Sequence, residues 1–134
     1  MKQGDRRPSP ALAKVAELRG RLLELHRALV EAERQSYEKV HGRVAAGSFL
    51  ELLLSDPAFA WLGPLTTVIV QLDELLDVEE EAEARSWAEC VAELRALLRA
   101  DASGSAFQRR YAELLQASPD VVLMHGAALG ALRG

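Results

Sequence analysis

Isoleucine occurs once in this chain and threonine twice, and no strict apolar/polar alternation of useful length is present. Strands draw on β-branched residues and a period of two, so a sheet is not expected. Aromatic residues number seven, too few to line a roomy haem pocket. Cysteine occurs once, as Cys90, which rules out an internal disulfide and fits a reducing cytoplasm. No run approaches the ~20 uncharged apolar residues of a membrane span. Met1 is followed by KQGDRRPSP, without an apolar signal core. The expectation is a soluble cytoplasmic protein with no membrane partner.

What is abundant points the other way. Leucine (23) and alanine (22) make up about a third of the 134 residues. These are strong helix formers, and the length suits one domain with one core. The fold class expected is all-α, a single-domain helical bundle of about five to six helices with a long N-terminal helix. Residues 1–8 are polar and read as a disordered tail, with the bundle spanning 9–134.

Helix starts are marked by serine or aspartate before proline. Ser9-Pro10 opens the first helix, in which Val15, Leu18, Leu22, Leu25, Leu29 and Ala32 recur every three or four residues. His41-Gly42 ends it. Ser48 with Glu51 has the spacing of a capping box and predicts a short helix starting at Ser48. Asp56-Pro57 and Gly63-Pro64 then break the chain twice. Beyond Pro64, Leu65, Val68, Leu72, Leu75 and Leu76 mark a helix with a wide apolar stripe. The acidic run Glu79-Glu80-Glu81-Ala82-Glu83 reads as a solvated helix start. A helix over 82–100 follows, then a loop at 101–104. Ser105 with Gln108 forms a second capping box, and Ser118-Pro119 opens the last helix. There, Gly126, Gly130 and Gly134 stand four apart, a spacing that permits a close helix crossing.

Phe59, Trp61 and Leu62 lie in the elbow between Pro57 and Pro64. Two readings stand: a plug closing the end of the bundle, or an aromatic patch that binds a partner.

Charge is uneven. Residues 1–44 carry ten Lys/Arg and six Asp/Glu, net +4; residues 45–134 carry six and fourteen, net −8. The basic part either lies against the acidic remainder or binds an acidic partner. Nucleic acid is disfavoured because basic and acidic residues are interspersed along the first helix, with no concentrated basic face.

The three histidines are His26, His41 and His125. Glu38 and His41 form the chain's one Glu-x-x-His, whereas a di-iron bundle needs two. His125, between Val122 and Leu129 on an apolar face, is the candidate ligand-binding residue, or else a hydrogen-bonded core residue. Cys90 shows no sequence pattern that would lower its pKa and reads as a small buried hydrophobe. No phosphate loop, nucleophile elbow or metalloprotease helix is present. No cofactor or metal is expected, and nothing gives a positive reason to name an enzyme.

The segments SDPAFAWLGPLTTVIVQLDELLD and FQRRYAELLQASPDVVLMHGAAL resemble a family of small uncharacterised bacterial all-helical proteins. The resemblance implies a helical fold and no particular activity. The function expected is protein–protein contact, with itself as a homodimer or with another protein. The alternative is a sensor of a small molecule or metal using His125, or His41 with Glu38.

Overall fold

The computed structural model describes residues 10–77 and 82–133. The tail 1–8, the Ser9 cap and the acidic residues Glu79-Glu80-Glu81 lie outside them. Seven helices are present among the described residues: α1 (Pro10–His41), α2 (Ala46–Ser55), α3 (Pro57–Ala60), α4 (Gly63–Asp77), α5 (Ala82–Leu97), α6 (Ala106–Ala117) and α7 (Pro119–Arg133). The fold is all-α, with a long N-terminal helix as expected. The number exceeds five to six because the elbow between the prolines holds a single-turn helix, α3.

The central rod is α1. Its 32 residues extend about 48 Å at ~1.5 Å per residue. The seam Val15, Leu18, Leu22, Leu25 and Leu29 is buried along its length. Ala32 packs against the core as the seam continues, and Glu33 behind it is also buried. The most extensive contacts of α1 are with α7 and α4; α5 packs on α4, and α6 on α7. The stripe expected after Pro64 points inward: Leu65, Val68, Leu72 and Leu75 are buried, with Ile69 beside them, and Leu76 is half-buried against the core. One contiguous cluster joins these residues to Leu94 and Leu98, to Phe107, Tyr111 and Leu114 of α6, and to Val121, Ala128 and Leu132 of α7. Burying each large apolar side chain stabilises the fold by roughly 1.5–3 kcal/mol.

Helix ends follow local chemistry. Asp56 is extended, as a residue before proline tends to be. It ends α2 and caps α3, its carboxylate accepting a hydrogen bond from the Ala58 N–H at 2.8 Å. Ser105 and Gln108 make both bonds of their capping box. Ser118 accepts from the Val121 N–H at 3.2 Å. Gly42 closes α1 with φ +85°, a left-handed turn, its N–H bonded to the Glu38 carbonyl.

Two local expectations are corrected. Helix α2 starts at Ala46 with Ala45 as its N-cap, and no side chain caps it. Ser48 therefore lies inside the first turn, because the chain is already helical two residues earlier. The glycines of α7 do not mark its contact with α1: a methyl group at Gly126 would meet nothing within 4 Å, one at Gly130 only the Arg133 guanidinium at 4.0 Å, and Gly134 lies outside the described residues. The small residue buried in α7 is Ala128.

Among the described residues, one ion pair joins the basic first helix to the acidic remainder, Arg19 with Asp73 on α4. Elsewhere the polarity is reversed, since Glu33 of α1 binds Arg110 of α6.

Candidate docking surface

Helix α2 is more apolar in composition than α4, yet none of its residues is buried. Its ten residues divide between three directions. Phe49 and Leu53, four apart, hold it to the bundle. The Phe49 ring meets Phe59 edge-on at 5.4 Å and lies under the Arg34 guanidinium at 5.6 Å. Leu53 packs against the core cluster. Ser48, Glu51, Leu52 and Ser55 face an open cleft of about 420 Å³. Leu50 and Leu54, also four apart, turn to solvent and are 57% and 79% exposed.

The far wall of the cleft is the end of α1 with the loop after it. Tyr37, His41, Arg43 and Val44 line it. The His41 ring lies tilted against Tyr37, 4.2 Å between ring centres, and Tyr37 in turn packs near Phe59 at 5.8 Å. Val40, in the same last turn of α1, is 77% exposed. Lys39 and Arg43 are exposed beside it. This end of the molecule thus presents apolar side chains on α2 and at the end of α1, with cations among the latter.

The elbow residues fall differently. Phe59 and Leu62 are buried, so these two close the end of the bundle and are not on its surface. Trp61 is half-buried, packed at 5.2 Å against Phe107, on the wall of a second cleft of about 610 Å³ between α3, α5 and α6. Its indole N–H is shielded and has no hydrogen-bond partner among the described residues.

The candidate ligand residues are separated and engaged elsewhere. His125 is half-buried, and its Nδ1 lies 2.5 Å from the Tyr111 hydroxyl. Burial lowers the His125 pKa and pushes the Tyr111 phenol well above its ordinary value. Glu38 accepts a hydrogen bond from the Val44 N–H at 3.0 Å and faces Arg34 at 3.5 Å, so its carboxylate serves the turn after α1. His26 lies 3.3 Å from the Thr66 hydroxyl of α4, and burial lowers its pKa also. Among the described residues, no three His, Cys, Asp or Glu side chains come together as a metal site requires. Cys90 is buried, 3.7 Å from Gln71 Oε1; burial, and then the charge of Glu89, raises its pKa and suppresses the thiolate.

Leu50, Leu54 and Val40 escaped the reading of the sequence. The signal was present in SFLELLLS: leucine at four of five positions leaves only the narrow face of Ser48, Glu51 and Ser55 for water. Such a helix is either buried on most sides or available to something else. Among the described residues, no helix is long and apolar enough to cross a membrane. Compared with protein-family models, curated proteins and solved structures, the chain matches none of them.

Proposed function

We propose that this chain is a helical-bundle protein that acts by protein–protein contact, and that its docking surface is the outer face of α2 with the end of α1. One observation carries this reading: an apolar helix none of whose residues is fully buried and which turns Leu50 and Leu54 to solvent. Isolated exposed leucines are ordinary, whereas a shared apolar stripe marks interaction sites. Cytoplasmic residence is part of the proposal, supported by the single thiol, Cys90.

The test is binding of a hydrophobic dye to folded protein at sub-micromolar concentration. The native chain should bind it, and Leu50→Glu/Leu54→Glu should lose most of that signal with its helical circular dichroism unchanged. A native chain that binds no dye at that dilution contradicts the proposal.

A further inference from the structure

We infer that the occupant of the α2 face is a second copy of this chain, with the two α2 helices packed antiparallel about a twofold axis. This rests on the docking reading above and names its partner.

The exposed stripe is self-complementary. Leu50 and Leu54 stand one turn apart on one face. In an antiparallel pair centred between them, Leu50 of each copy meets Leu54 of the other. Twofold pairing of one patch with itself is the commonest form of association between identical chains.

Charge favours the same arrangement. Arg43, three residues before the start of α2, is exposed, and so is Lys39 in the last turn of α1. Neither has an ion-pair partner among the described residues. At the C-terminal end of α2 are Asp56 and the last carbonyls of the helix, the negative pole of its dipole. Antiparallel packing sets the cationic end of each copy over the negative end of the other, twice per dimer. A parallel pair would set like against like.

The area sets the strength. A single ten-residue helix offers much less than the roughly 800 Å² per partner of a stable complex. The dimer is therefore weak and concentration-dependent.

Sedimentation equilibrium from low micromolar to millimolar protein tests this. The native chain should pass from monomer to dimer, and Leu50→Glu/Leu54→Glu should weaken association by roughly tenfold or more. Leu123→Glu, on the exposed side of α7, should leave it unchanged, and Leu50→Gln/Leu54→Gln guards against effects of added charge. Arg43→Glu should weaken association at low salt. A native chain that stays monomeric at millimolar concentration overturns the self-pairing. If that monomer still binds the dye at dilution, the docking surface stands with another occupant; if it binds none, both readings fail. A double variant that dimerises like the native chain, or growth beyond a dimer, also overturns the proposal.

Discussion

Arg110 of α6 reaches Glu33 of α1 with its Nε and Nη2 each 2.9 Å from one carboxylate oxygen. The two partners are unequally buried. Glu33 is 7% exposed, whereas Arg110 keeps a wetter guanidinium that also binds Glu113 at 2.6 Å. Burial pulls the Arg110 pKa down, but its bonds to Glu113 and Glu33 outweigh this and raise it. Losing either partner should therefore not cost the same.

Arg110→Ala is expected to destabilise more than Glu33→Ala. The first leaves a carboxylate inside the bundle without its cation; the second leaves a guanidinium that retains Glu113 and water. Breaking a fully buried pair costs about 3–5 kcal/mol, and partial exposure lowers this to roughly 2–3 for Arg110→Ala and about 1 for Glu33→Ala. Urea unfolding midpoints check the order. Equal losses would mean that the pair behaves as a surface ion pair.

Mild acid should weaken the fold through two histidines. Burial lowers the folded-state pKa of His26 and of His125 from 6.5. Between the lowered values and about 6.5 the unfolded chain binds more protons, so stability rises with pH across that window. It is fully present above about 6.5 and is lost as pH falls through the window. Thermal melts at pH 7.5 and 5 should show the drop, and His26→Gln/His125→Gln should flatten it. A melting temperature independent of pH over this range would contradict the burial of both rings.

Two glycines should respond oppositely to alanine. Gly20 lies inside α1, where a methyl group meets open space, so Gly20→Ala should stabilise by about 0.5–1 kcal/mol. Gly42 has φ +85°, and Gly42→Ala should cost about 1–2 kcal/mol through the left-handed backbone. The same sign for both in denaturant unfolding would refute this placement of the end of α1.

Two serines that look alike in sequence should also separate. Each stands three residues before a Glu or Gln, yet Ser105 caps its helix and Ser48 lies within one. Ser105→Ala should cost about 1 kcal/mol, and Ser48→Ala a few tenths at most.

That contrast shows how far the sequence could be read. The seam of α1 and the stripe of α4 were legible because period and burial coincide: Val15, Leu18, Leu22, Leu25 and Leu29 can face only one way on a helix. The Asp56, Ser105 and Ser118 caps were legible because each sits beside a proline or completes a box. Ser48 misled because its box spacing fell inside a helix that Ala45 opens without a side-chain cap. His125 is half-buried, but Val122, expected on the same face, is exposed, and the partner of the histidine, Tyr111, lies on another helix, beyond what spacing within one helix reveals. The surface of α2 was hidden for a related reason. An apolar sequence reports affinity for a neighbour, and whether the bundle supplies that neighbour depends on the whole arrangement of helices. Here it supplies one for Phe49 and Leu53, whereas Leu50 and Leu54 stay exposed among the described residues.

Hydrogen–deuterium exchange of the α2 amides, followed as protein concentration is raised from low micromolar to millimolar, tests the surface most directly. Protection over 46–55 should grow with concentration, while the buried seam of α1 and the stripe of α4 exchange at constant rates. Exchange in α2 that is the same at every concentration would contradict pairing through this helix.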